Sequence, residues 1–370
     1  MSGFDYKGRV EKLRLSMQDM EADALMISIE ENRRYLSGFT GQDGRFDESA
    51  GTLFISADKL VLATDSRFVL QAKSQCPNWE VFEYRIGLDP SLPRICEILG
   101  AKKLGFEKDR ISVAQFDRMR QNLKNLGCRA KPHPLENLVE PLRLIKDDVE
   151  IAAMRKALLI AETAFNELLD ILEPGMTEKE AAFHLESLMH NLGADCPSFP
   201  TIAAFGQNSA MPHAIPTDKK LEAGQPALFD WGCKTDGYCS DISRMMVLGE
   251  PDKTFWEIFN IVHEARARAI SAVKPGVSSK TVDAAARDFI REKGYADFFG
   301  HGTGHGVGLA VHEEPRISPV RESVLEPGMV FTVEPGIYLP DWGGVRLENM
   351  VLVTEDGCEV LNGLGRDAGP

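Results

Sequence analysis

Residues 7–22 set Val10, Leu13, Met17 and Met20 on one stripe of helical spacing, which predicts an opening amphipathic helix. ADALMISI, TLFISA and KLVLAT then read as short buried strands, with WEVFEY and KLGFE as further strand candidates. Between them SRFVLQAKSQC, LPRICEILG and SVAQFDRMRQNL carry helical periodicity. Alternation of this kind predicts an α/β unit. A Pro- and charge-marked connection from Lys131 to about Asp148 follows, and a long amphipathic helix from about Val149 to Leu172 comes next. The boundary is expected near residue 140, giving domains 1–140 and 141–370.

The second part repeats itself. LEPGMTEKEAAFHLESLMHNLGAD (172–195) resembles VKPGVSSKTVDAAARDFIREKGYAD (273–297): each has a Pro-Gly stop, a polar cap and a helix ending at Gly. Thr177 and Glu180 have capping-box spacing. LEAGQPALFDWG (221–232) aligns with LEPGMVFTVEPG (325–336) without a gap, so Asp230 falls on Glu334; further on, Gly237 falls on Gly344 and Asp241 on Glu348. Two αβ halves would each deliver an acidic pair to a site on their pseudo-two-fold axis.

Composition narrows what such a site does. With 370 residues, 43% of them hydrophobic, the chain is long enough for two cores. A net charge of −14 argues against nucleic acid or an anionic membrane as partner. No apolar run approaches the roughly 18 residues of a membrane helix. The start MSGFDYKGRV lacks a basic stretch leading into an apolar one, and the seven Cys are scattered without a C-x-x-C pair. The expectation is a cytoplasmic protein with free thiols.

In ALFDWGCKTDGYCSDISRMMVL (227–248), two extended segments flank a Thr-Asp-Gly turn, so Asp230 and Asp241 lie on opposite strands of a hairpin. Buried among apolar neighbours, such carboxylates need a partner or a metal. Either Asp alone reads better as a solvent-facing residue. FFGHGTGHGVGLAVHEEP (298–315) gathers three of the eight His with a run of Gly, which predicts a loop shaped around something. VFTVEPGIY (330–338) sets Glu334 in a strand-like run, and in GGVRLENMVLV Arg346 and Glu348 share a strand face. By itself that last pair reads as a structural ion pair. Four carboxylates and an imidazole together form a hard, oxygen-rich set suited to two Mn²⁺, Co²⁺ or Zn²⁺ ions. Two such ions make a nucleophile of bridging water, so the reaction class is hydrolysis.

With these motifs in hand, residues 145–365 resemble the pita-bread metallopeptidases: aminopeptidase P, prolidase and methionine aminopeptidase. YLSGFTG (35–41) and ATDSRFVLQA (63–72) resemble the creatinase-type N-terminal domain that precedes them. The resemblance implies a creatinase-like α/β domain followed by a pita-bread catalytic domain. It implies Asp230, Asp241, His305, Glu334 and Glu348 as ligands of two divalent ions, Mn²⁺ first, with Asp241 and Glu348 bridging, and attack by a hydroxide held between them. It also implies that Glu334 delivers the proton to the leaving amine, and that His213, His301, His312 and Arg346 line the substrate site, with His213, His312 and Arg346 assisting the chemistry. Ser243 stands where the family usually has Thr, and Ala214 where a bulkier residue is common. VRLEN and the N-terminal domain argue against methionine aminopeptidase, and the intact ligand set argues against creatinase and against a binding module that has lost its metals. What remains is cleavage of Xaa-Pro bonds. YLSGFTG and TDSRFVLQA lean toward an Xaa-Pro aminopeptidase, with Xaa-Pro dipeptidase (prolidase) as the alternative and a homodimer as the implied assembly.

Overall fold

A computed structural model describes residues 3–17, 19–44, 48–364 and 368–369, and the chain divides into two compact units, Met1–Arg143 and Leu144–Pro370. In the first, α1 (Tyr6–Met17) buries Val10, Leu13 and Met17, while Met20 lies beyond the helix in a turn. The unit then runs β1 (Ala24–Ile27), α2 (Glu30–Ser37), β2 (Thr52–Ser56), β3 (Leu60–Thr64), α3 (Val69–Gln75), β4 (Glu80–Glu83), α4 (Leu88–Leu99), β5 (Lys103–Glu107), α5 (Val113–Asn125) and β6 (Lys131–Leu135). The sheet order is β4-β3-β2-β1-β5-β6, and only β2 runs against its neighbours. Leu92, Ile95, Cys96 and Leu99 of α4 and Met119 and Leu123 of α5 pack on Met26, Phe54, Val61 and Leu104 of the sheet.

The segment from Lys131 is no mere connection, because its first five residues form β6, paired in parallel with β5. Pro132 and Pro134 hid it; proline cannot donate to a ladder and is tolerated at a sheet edge, where β6 lies. The short helix α6 (Glu140–Leu144) follows.

The second unit opens with α7 (Asp148–Leu169) and α8 (Glu178–Asn191), capped by Asp147–Glu150 and Thr177–Glu180 capping boxes. Next come β7 (Cys196–Pro197), β8 (Ile202–Phe205), β9 (Ala227–Trp231), β10 (Cys233–Thr235), β11 (Tyr238–Cys239) and β12 (Ile242–Met246). The turn between β10 and β11 has φ of 52° at Asp236 and 85° at Gly237, which favours a short-side-chain residue and Gly. A second helix pair, α9 (Lys253–Ala272) and α10 (Ser279–Glu292), precedes β13 (Gly304–Gly306), β14 (Glu313–Ile317), β15 (Val330–Val333), β16 (Gly336–Leu339), β17 (Gly343–Arg346), β18 (Asn349–Val353), β19 (Cys358–Val360) and β20 (Ala368–Gly369). Antiparallel β8-β9-β12 in the first half corresponds to antiparallel β13-β15-β18 in the second. Phe255, Val262, Ala269, Val282, Ala286 and Ile290 of the second helix pair join Leu228, Met245, Phe331, Val333 and Val351 in one core.

Candidate metal centre and active site

Five short elements converge on one point. Asp230 sits in β9, opposite Ser243 of β12, and Asp241 lies just before β12. His305 is the middle residue of β13. Glu334 follows β15, and Glu348 stands between β17 and β18. Carboxylate oxygens of Asp230, Asp241 and Glu348 lie within 4.8 Å of one another. The Nε2 atom of His305 is 3.2 Å from Glu334 Oε1 and 3.6 Å from Asp241 Oδ2. The five expected ligands are therefore brought together.

The Gly-rich segment is less loop-like than expected. His305 is in a strand that pairs with β14 and β15 and carries a register shift after His305. Its glycines permit close packing: a Cβ on Gly304 would stand 1.8 Å from Thr332 O, and one on Gly306 would stand 2.1 Å from Glu314 O. Behind it, the buried Asp283 of α10 accepts from Thr303 N (3.2 Å) and Thr303 Oγ1 (2.8 Å). Arg287, paired with Asp283 at 2.7 and 2.8 Å, donates to the carbonyls of Phe299 (3.1 Å) and His301 (2.7 Å). One ion pair thus fixes the backbone between His301 and His305.

Arg346 ties the cluster together. Its Nη2 donates to Asp230 Oδ2 (2.6 Å), its Nε to Ser243 Oγ (2.8 Å), and its Nη1 to Tyr338 OH (2.9 Å) and Pro212 O (3.1 Å). Ser243 Oγ in turn donates to Glu348 Oε2 at 2.8 Å. Arg346 therefore pairs with Asp230, not with Glu348 as the lone-motif reading has it. His301 places Nδ1 2.7 Å from Gly302 O and Nε2 2.9 Å from Tyr338 OH. Neutral His301 with its proton on Nδ1 satisfies both contacts, Tyr338 donating to Nε2. Thr332 Oγ1 donates to Glu334 Oε1 at 3.2 Å and accepts from His305 N at 3.1 Å. Sequence reading missed Tyr338 and Thr332, which look there like ordinary strand residues.

The donor set fits divalent metal. Four carboxylates, Asp241 and Glu348 buried and Asp230 and Glu334 half-buried, gather around the guanidinium of Arg346, and the atoms Asp230 Oδ1 and Glu348 Oε1 are buried without a hydrogen-bond partner. His305 Nδ1 lies 3.1 Å from Gly306 O, which orients the ring so that Nε2 faces the carboxylates, where it could bind a metal. Burial, then the neighbouring carboxylates, push Asp241 and Glu348 well above the usual carboxylate range. Burial also raises Asp230, against the opposing pull of Arg346. Glu334 departs the other way, to about 2: burial is outweighed by His305, His301 and Arg346.

The signs set a pH dependence. Raised carboxylates bind protons more tightly folded than unfolded, so their contribution to the metal-free fold is present at low pH and lost as pH rises through the raised values. A divalent ion replaces those protons. The thermal shift on adding Mn²⁺ to chelated protein is expected to grow between about pH 5 and pH 8. It should reach about 2.7 kcal/mol of stabilisation at a hundredfold excess over the dissociation constant. A shift independent of pH, followed by differential scanning fluorimetry, would contradict the raised values.

A cavity of about 810 Å³ opens over the cluster, lined on one side by the ligands with Arg346 and His301, and on another by Phe199, Ile202, Ala214 and Ile215. His213 and His312 are both exposed and both line it. The His312 ring stands edge-on to His305 at 4.3 Å between centroids. Partial desolvation by the cavity wall, then the neighbouring His305 and Arg316, hold His312 down to about 4, so its imidazole is neutral at pH 7. Arg316 of β14 also lines the cavity; the sequence reading passed over it as one more charge beyond the His-rich run. Cys239 is buried and packs toward Leu309 O without lining the cavity.

Residues 152–355 match Metallopeptidase family M24, and residues 9–145 match the Creatinase/Prolidase N-terminal domain. The chain belongs to metallopeptidase family M24. It is 37% identical to the Xaa-Pro dipeptidase of Pyrococcus furiosus, covering 98% of this chain and 99% of the relative. An Xaa-Pro dipeptidase structure from Bacillus anthracis superposes with a TM-score of 0.91 at 38% identity, over 98% of this chain and 99% of the other. An X-Pro aminopeptidase structure from Thermotoga maritima gives 0.86 at 39%, over 97% and 99%. The M24 chain is thus a metallopeptidase of the two-domain prolidase and aminopeptidase P type. Among its described residues no helix is long and apolar enough to cross a membrane.

Proposed function

We propose that this metallopeptidase is an Xaa-Pro dipeptidase in which Asp230, Asp241, His305, Glu334 and Glu348 hold two divalent ions. The observation that carries the dipeptide reading is Arg316, a cation on the wall of the same cavity as the carboxylate cluster. A dipeptide presents a free carboxylate beyond its scissile bond, and a guanidinium can take it in a forked pair. The relatives from P. furiosus and B. anthracis carry that dipeptidase name and support the reading over the aminopeptidase lean of the sequence motifs. The T. maritima relative favours the aminopeptidase as the second reading.

When bound, the ion pair supplies a water nucleophile at neutral pH and polarises the peptide carbonyl. Mn²⁺ suits this oxygen-rich set, as do Co²⁺ and Zn²⁺. The protein does the rest. Glu334, held ionised beside His305, accepts the proton of the attacking water and passes it to the departing amine. His312 and His213, both on the cavity wall, offer hydrogen bonds to the substrate around the scissile bond. Arg346 fixes Asp230 and, through Tyr338, the ring of His301. The proline ring has no N–H to recognise, so the apolar wall of Phe199, Ile202 and Ile215 reads its shape. Small Ala214, itself on that wall, leaves the room there. The free state of all seven cysteines supports a reducing, cytoplasmic location.

The test compares Xaa-Pro dipeptides with Xaa-Pro-Yaa tripeptides for wild type and Arg316→Gln, with Mn²⁺ added. A charged hydrogen bond is worth about 1.5–3 kcal/mol, roughly 10- to 100-fold in KM. That rise is expected for the dipeptide, with a much smaller one for the tripeptide. Wild-type cleavage confined to tripeptides would establish the aminopeptidase reading instead.

A further inference from the structure

Glu178 opens α8 with its side chain fully buried, and the donors that reach it among the described residues are neutral. Its Oε1 accepts from Phe205 N (2.7 Å) and Asn208 Nδ2 (2.9 Å). Its Oε2 accepts from Thr217 N (2.8 Å), Thr217 Oγ1 (2.6 Å) and Asn208 Nδ2 (3.1 Å). One carboxylate therefore grips both ends of the segment 206–216. That segment supplies Pro212, His213, Ala214, Ile215 and Pro216 to the cavity wall, and Pro212 O meets Arg346. Its first half is anchored elsewhere: Ser209 is buried and accepts from Gly344 N (2.8 Å), and Gln207 Nε2 donates to Pro340 O (2.9 Å). Its second half, 211–216, has little core packing: Met211 is 49% and Ile215 82% exposed, and Ala214 is its buried apolar contact. The exposed stretch 211–216 therefore owes its conformation to the Arg346 bond at Pro212 and to the Glu178 contacts with Asn208 and Thr217 that flank it.

The repeat shows that the fold itself does not need this carboxylate. Thr177 and Ser278, equivalent helix caps, make equivalent isolated bridges, to Lys220 and Val324. At the position equivalent to Glu178 stands Ser279, whose Oγ accepts from Ser323 N at 3.0 Å. A hydroxyl suffices there to close the helix against the neighbouring chain. Only the half that carries His213 has the longer anionic side chain.

We propose that Glu178 is a positioning residue that sets substrate affinity by clamping the 206–216 segment over the metal centre. It acts through His213 and the apolar wall, not through the metal ligands. This rests on reading the cavity as the peptide site.

The test is Glu178→Gln in the full-chain, metal-loaded enzyme, with Thr217→Val, which removes the hydroxyl that donates to Glu178 and accepts from Lys219 N but keeps the Thr217 N bond. Expected for Glu178→Gln are wild-type metal content, a 10- to 100-fold loss in kcat/KM lying mainly in KM, and faster amide exchange confined to 206–217. Thr217→Val should show the same pattern more weakly. Wild-type KM in Glu178→Gln, loss of metal, or exchange raised throughout the domain would each overturn the proposal. If Glu178→Gln does not fold, wild-type KM in both Thr217→Val and Asn208→Ala overturns it. Failure of the substrate reading looks different: wild type itself cleaves no Xaa-Pro peptide. The exchange pattern then decides whether Glu178 clamps the segment.

Discussion

Replacing Asp241 by Asn is expected to reduce peptidase activity to background and to leave the protein with less than its full metal content. The substitution is nearly isosteric, so packing is kept while the charge is lost. Asp241 is buried, and its carboxylate stands within 4.8 Å of those of Asp230 and Glu348 and 3.6 Å from His305 Nε2. A group so placed can reach two cations at once, and none of its neighbours can move into its position without abandoning its own. Arg346 is committed to Asp230, and Ser243 to Glu348. Asparagine also brings a donor amide toward the metals, which is repulsive where the carboxylate attracted. Activity assayed with added Mn²⁺, beside elemental analysis of the dialysed variant, checks this. A variant with both metal and turnover intact would mean that the cluster is not the catalytic centre.

The second large effect is on stability. Arg346→Ala is expected to lower the stability of the metal-free protein by about 3–5 kcal/mol, because it strips the counter-charge from a buried carboxylate. The guanidinium is 2% exposed and donates to Asp230, Ser243, Tyr338 and Pro212. At roughly 2–4 °C per kcal/mol for a domain of this size, the melting temperature should fall by about 6–20 °C. Arg346→Lys keeps charge without the planar fork, so it should recover only part of the loss. Metal affinity should drop too, since Asp230 loses the contact that orients it. A melting temperature within about 2 °C of wild type would show that the Asp230 pair carries little of the stability.

Much of this centre is legible in the residues. Repetition of a helix-plus-strand block pairs Asp230 with Glu334 and Asp241 with Glu348, and carboxylates among apolar strand residues need a cation. His305 stands out because His is scarce in this chain and three fall in one Gly-rich run. What sequence hides is what reaches the site across long separations. Tyr338 reads as a core aromatic until its hydroxyl is found between Arg346 and His301. Arg316 has no motif of its own; it is marked only by the cavity it lines. Glu178 looks like a first-turn helix acid, and its clamp on Phe205 and Thr217 exists only in three dimensions. In the first unit, β6 escaped because Pro132 and Pro134 contradict strand propensity, and only the edge position resolves the conflict.

The most direct test of a two-ion peptidase centre is a titration of chelator-stripped protein with Mn²⁺, reading bound metal per chain and Xaa-Pro dipeptide hydrolysis on the same samples. The expected result is saturation at two ions per chain, with activity rising as the sites fill and none before metal is added. Full activity without metal, or no metal bound at saturation, would contradict it.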